Sequence, residues 1–242
     1  MTVVQFVREL LWPQPKSCAL ADVIDVSQPS LWVAVASIVF NPLFWNIVAQ
    51  NEYRHKTITH FLGGRRYVGC YLLAVTIFTL GIVRDHLYQT ALVHQPTCPL
   101  LEHPAFRALA AALFVAGSVL VVSSMYALGV TGTYLGDYFG ILMDHIVTSF
   151  PFNVTGNPMY WGSSANFVAV ALWYAKPAGL VLSVLVVFVY AVALRFEEPF
   201  TANIYRDAEA AKTNAAVYSE VRDQGASSSR AYGTRSQART RT

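Results

Sequence analysis

Long stretches without charge constrain this chain more than any other feature. Residues 177–194, PAGLVLSVLVVFVYAVAL, carry no charged side chain between Lys176 and Arg195. Three further charge-free stretches lie at residues 30–50, 67–83 and 108–130. A helix needs about 20 predominantly apolar residues to cross the hydrocarbon core of a bilayer. The sequence therefore predicts an all-α protein that crosses the membrane several times.

The composition agrees with a membrane protein and argues against a nucleic-acid partner. Hydrophobic residues make up 55% of the chain and charged residues only 13%, whereas soluble domains carry about 25% charged residues. The formal net charge is only +3, and much of the excess lies in the C-terminal tail. No concentrated basic surface for nucleic acid is expected.

Neither the cysteines nor the histidines indicate a metal site. Cys18, Cys70 and Cys98 are far apart and odd in number, so they predict neither a disulfide framework nor a zinc site. The six histidines show no paired spacing of the H-E-x-x-H kind. We expect no metal.

A fifth helix is predicted at residues 158–175, which are also uncharged. Asn157 suits the cap position and Pro158 the first position of a helix. The turn signal Lys176-Pro177-Ala178-Gly179 would then fold this helix back against the last apolar stretch as a helical hairpin. The alternative is a loop up to about residue 170 followed by one final span. The fold expected is thus a polytopic bundle of four to five membrane helices.

The positive charges of the loops predict which side each loop occupies. Residues 51–66 contain four basic residues, Arg54, Lys56, Arg65 and Arg66, against only Arg84 and Arg107 in residues 84–107. The positive-inside rule puts the first of these loops in the cytosol. With five spans, residues 131–157 and the C-terminal tail are cytosolic too, and the N-terminus is luminal.

Three regions are expected along the chain. Residues 1–29 contain acid, base and a Trp-Pro break within their apolar stretch, which predicts an interfacial helix rather than a cleaved signal peptide. Residues 30–206 form the integral membrane domain. Residues 207–242 are predicted to be a polar, alanine-rich helix followed by a disordered tail.

Two adjacent acids, Glu197 and Glu198, follow the last apolar stretch directly. A hairpin would return them to the same membrane face as residues 157–162, NPMYWG. Carboxylates near hydrocarbon are costly unless paired, which makes them candidates for a functional site. The alternative is that they simply end the helix in water, although acids at a helix C-terminus oppose the helix dipole.

A third segment, LGVTGTYLGDYFGILMDH at residues 128–145, repeats glycine every four residues. Gly132, Gly136 and Gly140 would lie on one face of a helix, either for close helix packing or to expose backbone to a flat ligand. The side chains between them would line such a pocket: Tyr134, Asp137, Tyr138 and Phe139.

Four blocks of the sequence resemble a known family. FNPLFWNIVAQNEY, LGVTGTYLGDYFGILMD, FPFNVTGNPMYWGSS and RFEEPFTANIY are similar to blocks of the phospholipid methyltransferases of the endoplasmic reticulum, above all the short fungal phosphatidyl-N-methylethanolamine N-methyltransferases. The resemblance implies methyl transfer from S-adenosylmethionine to phosphatidyl-N-methylethanolamine and its dimethyl form, giving phosphatidylcholine. It also implies a site facing the cytosol and a fold similar to isoprenylcysteine carboxyl methyltransferase.

The resemblance assigns cofactor-binding roles position by position. The family's paired acids fall on Glu197 and Glu198, and its G-x-G motif falls on Val115-Ala116-Gly117, where the first glycine is absent. The superfamily's Arg-His-Pro-x-Tyr-x-Gly motif corresponds to residues 157–162, which match its Pro, Tyr and Gly but not its Arg-His pair. Four positions of that segment are expected at the cofactor: Asn157, Pro158, Tyr160 and Gly162.

The lipid amine must be neutral to attack, so a proton acceptor is expected. The candidates are Asp137, Asp144 and His145. Tyr134, Tyr138 and Trp161, together with Tyr160, are expected to hold the methylated head group by cation–π contacts. Three alternatives stay open at this point: methylation of phosphatidylethanolamine itself, methylation of isoprenylcysteine carboxylate, and a non-catalytic scaffold.

Overall fold

The computed structural model describes residues 23–144 and 147–238, and these residues are helical with no strand. The α-helices are α1 (Pro29–His55), α2 (Thr57–Phe61), α3 (Arg66–Val93), α4 (Pro104–Thr133), α5 (Pro158–Trp173) and α6 (Pro177–Ala238). Two short 3-10 helices, Pro99–Glu102 and Gly136–Phe139, lie before and after α4. The all-α fold class predicted from the sequence is confirmed.

Within the described residues, four helices are long and apolar enough to cross a membrane: α1, α3, α4 and α6. They contain the four charge-free stretches of the sequence. The fifth predicted helix is present as α5, with Asn157 at its N-cap position and Pro158 as its first residue, although the Asn157 side chain makes no capping hydrogen bond. Its 16 residues fall short of the roughly 20 needed for a span, so it is not counted among the four.

The second span is longer than predicted. The charge-free stretch ends at Val83, and Arg84 was expected to mark the helix end, but α3 continues to Val93. Arg84 therefore lies inside the helix, where its side chain is buried. The charge did not end the helix because its guanidinium is paired within the bundle, as described below.

Helix α1 runs through Pro42 without ending. A proline inside a helix removes one backbone hydrogen bond and forces a local adjustment. Here the neighbouring Asn41 is buried and donates through Nδ2 to the carbonyl oxygen of Leu80 on α3, at 3.1 Å. Asn41, next to Pro42, is thus a point where α1 is bonded to α3.

The predicted helical face of three glycines is wrong. Only Gly132 lies in α4, which ends at Thr133, while Gly136 begins a 3-10 helix and Gly140 follows it in the left-handed region. Leu135, at φ 60°, reverses the chain between them. A Cβ on Gly136 would lie 2.7 Å from the carbonyl oxygen of Thr131, so glycine is required there by a tight turn.

The predicted hairpin is present, but its turn occupies residues 174–176 rather than 176–179, because Pro177 already begins α6. Ala175 has φ 52°, and its carbonyl oxygen accepts a hydrogen bond from the Cys98 amide at 3.0 Å. Lys176 Nζ donates to the Gln95 carbonyl oxygen at 2.6 Å, and partial burial lowers the pKa of Lys176. The hairpin turn therefore shares one end of the bundle with residues 94–103, as the predicted topology requires.

A disulfide at this end corrects the reading of the cysteines. Cys98 is disulfide-bonded and Cys70 is a free, buried thiol. Cys18 lies outside the described residues. Spacing alone could not reveal the bond because the sequence offers no pattern that pairs distant cysteines.

The core is built by four helices that meet at the centre of the bundle. Its buried members are Leu31, Ala34 and Ile38 of α1, Tyr88, Ala91 and Leu92 of α3, Phe167 of α5, and Leu182, Val186 and Tyr190 of α6. The Tyr88 hydroxyl lies 2.9 Å from the Phe167 carbonyl oxygen and 3.1 Å from that of Gly179. It thereby joins α3 to both arms of the hairpin.

Helices α4 and α5 cross at two facing glycines. A Cβ on Gly117 would lie 2.6 Å from the Gly162 carbonyl oxygen, and a Cβ on Gly162 would lie 2.6 Å from the Gly117 carbonyl oxygen. Backbone therefore touches backbone, as small residues allow in membrane bundles. Two motif positions that are far apart in sequence are in direct contact.

The chain divides into two compact units at Glu197 and Glu198. The first contains the bundle, and the second is the continuation of α6, helical to Ala238. The helix thus includes the segment after residue 223 for which the composition predicts disorder. The expected interfacial helix near the N-terminus falls largely on residues 1–22, outside the described residues, and the domain bounds at 30 and 206 stay predictions.

Gly162→Ala is expected to destabilise the protein by about 1–3 kcal/mol, since the new methyl group must push two backbones apart. The measurement is the thermal unfolding midpoint in lipid nanodiscs. Gly81→Ala is the matched control, because a Cβ there meets nothing within 4 Å. Alanine favours a helix by up to about 1 kcal/mol over glycine, so Gly81→Ala should leave the midpoint unchanged or raise it. Equal midpoints for the two variants would contradict the close crossing.

Candidate active site

A tyrosine and a carboxylate from the two arms of the hairpin meet in the first unit. Tyr160, in the first turn of α5, donates from its hydroxyl to Oε2 of Glu197 on α6, at 2.7 Å. A hydrogen bond to an ionised carboxylate is stronger than one between neutral groups. The sequence predicted that these two segments come together, and the structure brings them into contact.

Aromatic rings surround this pair. The Tyr190 ring lies 4.9 Å from the Tyr160 ring at an interplanar angle of 84°, and the Trp45 ring lies 6.4 Å from Tyr190 at 44°. Tyr138 is also among the groups that act electrostatically on the Tyr160 hydroxyl. Tyr160, whose hydroxyl binds the carboxylate, is therefore part of a group of aromatic rings, and ring faces can attract cations.

A buried cation stands behind the aromatic rings. Arg84 Nη1 donates to the Tyr190 hydroxyl oxygen at 2.6 Å, and Nε and Nη2 donate to Oδ1 of Asp85 at 3.0 and 2.9 Å. The guanidinium also lies 4.9 Å from the centre of the Phe167 ring. The ionic charge inside the bundle is thus compensated by one acid, one hydroxyl and one ring.

The segment from Tyr134 to Gly140 is held on the bundle by its backbone carbonyl groups. Lys56 Nζ donates to the Tyr138 carbonyl oxygen at 3.4 Å, and Arg66 Nη1 donates to that of Gly140 at 3.1 Å. Tyr138 is fully buried, with its ring 6.5 Å from that of Tyr53. The basic loop between α1 and α3 therefore positions the segment that carries Asp137.

A buried acid shapes that basic loop. Glu52 accepts hydrogen bonds from the backbone amides of Ile58 and Thr59, at 2.6 and 3.2 Å, and from the Thr59 hydroxyl. Glu52 has no exposed surface, and it caps the short helix α2. Lys56, at φ 52°, is thereby fixed where it reaches the neighbouring segment.

The three predicted proton acceptors lie in different surroundings. Asp137 is partly buried in the 3-10 helix, beside Tyr138 and within electrostatic reach of Cys70. Asp144 is exposed. His145 lies outside the described residues. Asp137 therefore adjoins the buried Tyr138, whereas Asp144 is open to solvent.

The remaining predicted residues are not all brought together. Val115 and Trp161 are each more than half exposed on the surface of the bundle. Tyr134 is partly buried and follows the last residue of α4. Glu198 is exposed and begins the second unit. The predicted cofactor and substrate roles of all these positions stay predictions.

Comparison with known proteins gives the family. The family model described as phospholipid methyltransferase matches residues 105–208. The chain is 59% identical over 196 residues to phosphatidyl-N-methylethanolamine N-methyltransferase of Emericella nidulans, covering 80% of this chain and 95% of the relative. The chain belongs to the phospholipid methyltransferase family. It is therefore a methyltransferase. Its described residues include four helices that are long and apolar enough to cross a membrane.

Relatives from other organisms extend this family assignment. Phosphatidyl-N-methylethanolamine N-methyltransferase of Saccharomyces cerevisiae is 56% identical over 191 residues, covering 79% of this chain and 92% of the relative. Phosphatidylethanolamine N-methyltransferase of Rattus norvegicus is 52% identical over 183 residues, covering 76% and 92%. No solved structure matches the chain, and the expected similarity to the fold of isoprenylcysteine carboxyl methyltransferase stays a prediction.

Three residues around the Tyr160–Glu197 pair were missed by sequence reasoning: Trp45, Arg84 and Tyr190. Trp45 and Tyr190 lie within apolar stretches, where an aromatic residue is indistinguishable from ordinary core. Arg84 could have been recognised from the sequence, because the residues after it are compatible with a helix that continues past the charge. A charge within a long membrane helix is itself an indication of function.

Lys56→Ala and Arg66→Ala are each expected to loosen the segment from Tyr134 to Gly140. Each removes one hydrogen bond to its backbone, and the loss of about 1 kcal/mol corresponds to roughly fivefold faster local opening. Hydrogen exchange of the Tyr138, Gly140 and Ile141 amides, which are bonded within the segment, gives the measurement.

Arg65→Ala is the control for this experiment, since it removes the same charge from an exposed neighbour. Its exchange rates should equal those of the unmodified protein. Equal acceleration in all three variants would mean that loop charge, and not the two carbonyl contacts, holds the segment.

Proposed function

We propose that this enzyme transfers methyl groups from S-adenosylmethionine to phosphatidyl-N-methylethanolamine and phosphatidyl-N,N-dimethylethanolamine, and so makes phosphatidylcholine. The names of the fungal relatives, at 54–59% identity, support this substrate. The observation that carries the proposal is the contact of Tyr160 with Glu197, which presents a carboxylate among aromatic rings at one end of the bundle.

The residues at this end suit the proposed cofactor. When bound, S-adenosylmethionine supplies a methyl group on a positively charged sulfur. A carboxylate can accept several hydrogen bonds, and Glu197 is proposed to hold an ammonium or a ribose diol of the cofactor. The proposal keeps Glu198 as its partner in this role.

The start of α5 provides the complementary charge. The N-terminus of a helix carries partial positive charge and attracts anions. Asn157 and Pro158 open α5 one turn before Gly162, and they are proposed to receive the carboxylate of the cofactor. Gly162 contacts Gly117, which supports a place for the second cofactor motif beside this turn of α5, and Val115 is proposed to belong to it.

The lipid head group is assigned to the aromatic residues near Tyr160. Cation–π attraction to a methylated ammonium tolerates added methyl groups, because it depends on charge near a ring face rather than on N–H donors. Tyr134, Tyr138 and Trp161 are proposed to bind it. Among the proposed bases, Asp137 is favoured for proton removal because it adjoins Tyr138, with Asp144 and His145 as the other candidates.

We also propose that residues 30–206 are the methyltransferase domain of an endoplasmic reticulum membrane protein, with the site facing the cytosol. The basic residues Arg54, Lys56, Arg65 and Arg66 lie at the site end, in agreement with the positive-inside rule. Cys98 is disulfide-bonded at the opposite end, which fits an oxidising lumen.

The reaction is tested with purified protein in nanodiscs and S-adenosylmethionine labelled on the methyl group. We expect label transfer to the monomethyl and dimethyl lipids, and the arm with phosphatidylethanolamine defines whether the first methylation is also performed. Label in an isoprenylcysteine peptide, or in no acceptor, would overturn the proposed substrate.

Glu197→Gln tests the cofactor role within the same assay. Hydrogen bonds to charged groups contribute about 1.5–3 kcal/mol, so the dissociation constant for S-adenosylmethionine should rise at least tenfold. Glu198→Gln is measured beside it. Glu209→Gln, the same change at an exposed position of the same helix, is the control and should bind as the unmodified protein does.

Glycosylation mapping tests the orientation. The sequon Asn153-Val154-Thr155 lies on the proposed cytosolic side and should carry no glycan in microsomes. The double substitution L100N/E102T creates a sequon at two exposed positions of the opposite loop, and it should be glycosylated, giving a gel shift that an endoglycosidase removes. A glycan on Asn153 alone would invert the topology.

A further inference from the structure

Arg84 is a buried ionic group to which the proposed reaction assigns no role. It lies within α3, one of the four membrane-capable helices, and is only 9% exposed. A charge placed among apolar helices is costly, and such residues commonly serve a function. Its pairing with the adjacent Asp85 would be enough for compensation, yet a third donor, Nη1, is directed to Tyr190 on another helix.

Tyr190 connects this cation with the site. Its hydroxyl oxygen accepts the 2.6 Å hydrogen bond from Arg84, and its ring stands against the Tyr160 ring at 84°. Tyr160 in turn donates to Glu197. The rotation of the Tyr190 ring is fixed at its hydroxyl end by Arg84, so the edge-to-face contact that orients Tyr160 is fixed as well.

We propose that Arg84 and Tyr190 are positioning residues for the Tyr160–Glu197 pair. The inference rests on the proposed role of Glu197 in holding the cofactor. Tyr190 stands against the Tyr160 ring, and it acts by setting the direction from which the Tyr160 hydroxyl meets the carboxylate. Loss of the Arg84 bond leaves both rings in place but frees their orientation, which weakens cofactor binding more than it weakens folding.

The test is Tyr190→Phe, which removes the hydroxyl and keeps the ring. The dissociation constant for S-adenosylhomocysteine, measured calorimetrically in nanodiscs, should rise about three- to tenfold, as expected for one lost hydrogen bond. The KM for S-adenosylmethionine should rise by the same factor, with little change in kcat. Arg84→Lys should behave like Tyr190→Phe, because a single ammonium cannot reproduce the fork that joins Asp85 and Tyr190.

Tyr88→Phe is the matched control. Tyr88 is also a buried tyrosine of the bundle, but it lies one turn of α3 beyond Arg84, on the side away from Glu197, and its hydroxyl contacts the Phe167 and Gly179 carbonyl oxygens. Tyr88→Phe should lower the thermal midpoint at least as much as Tyr190→Phe while leaving the dissociation constant unchanged. Weaker binding in Tyr88→Phe as well would reduce the effect to general loss of packing and overturn the proposal.

A double-mutant cycle separates positioning from independent effects. Once Tyr160→Phe has removed the bond to Glu197, adding Tyr190→Phe should change the dissociation constant little further, whereas additive losses would overturn the proposal. The binding measurement needs no lipid acceptor. Unmodified protein that binds S-adenosylhomocysteine but methylates no lipid would therefore refute the proposed function while leaving the positioning role to be decided by the variants.

Discussion

Polar groups inside a membrane bundle must find partners within the protein, and this constraint orders the structure. Hydrocarbon offers no hydrogen bonds, so a buried donor or acceptor is costly unless another group of the protein satisfies it. Asn41 therefore joins α1 to α3, Tyr88 joins α3 to the hairpin, and Arg84 joins α3 to Tyr190 of α6. The contacts that compensate polar groups are the same contacts that fix the helices relative to one another in the first unit.

Close packing of backbone against backbone is the second requirement of this helix arrangement. Gly117 and Gly162 let α4 and α5 touch, and Gly179 lies where a Cβ would be 2.8 Å from Cδ2 of Leu92 and 2.7 Å from the Ala171 methyl group. The short helix α5 is thus enclosed by its neighbours, which places Tyr160 opposite Glu197. A hairpin held by polar bonds alone would leave the hydroxyl and the carboxylate free to separate.

The sequence predicted much of this fold because hydrophobic length and turn residues act locally. Apolar stretches located four spans, and Asn157-Pro158 with residues 176–179 located the hairpin. The predictions that failed concern features that depend on residues distant in the sequence. The end of α3 was misplaced because Arg84 is compensated by residues far along the chain, and the glycine repeat was read as helical because nothing local reveals that Leu135 reverses the chain.

The site was predicted in the same uneven way. The contact of Tyr160 with Glu197 followed from folding one helix back on the next, which is a matter of topology. The roles of Trp45 and Tyr190 could not follow, because which face of an apolar helix meets a given ring depends on crossing geometry that apolar periodicity does not encode. Resemblance to a family supplied residue roles but no contacts.

Helix lengths place the carboxylate at a particular depth. Helices α3 and α6 are antiparallel, since Arg84 meets Tyr190 while Tyr88 lies near Ser183. We measure along the helices from the contact of Arg84 with Tyr190, at about 1.5 Å per residue. From there α6 extends about 10 Å to Glu197, whereas α3 extends about 27 Å in the same direction to Arg66. Glu197 is therefore recessed well below the basic end of α3.

Arg66 and Lys56 bind the segment from Tyr134 to Gly140 at this basic end, through the carbonyl oxygens of Gly140 and Tyr138. For the proposed reaction, the depth of Glu197 below that end matters in two ways. A lipid amine could approach the carboxylate from the side without leaving the bilayer, and exclusion of water at that depth would strengthen the charge interactions on which the proposed methyl transfer depends.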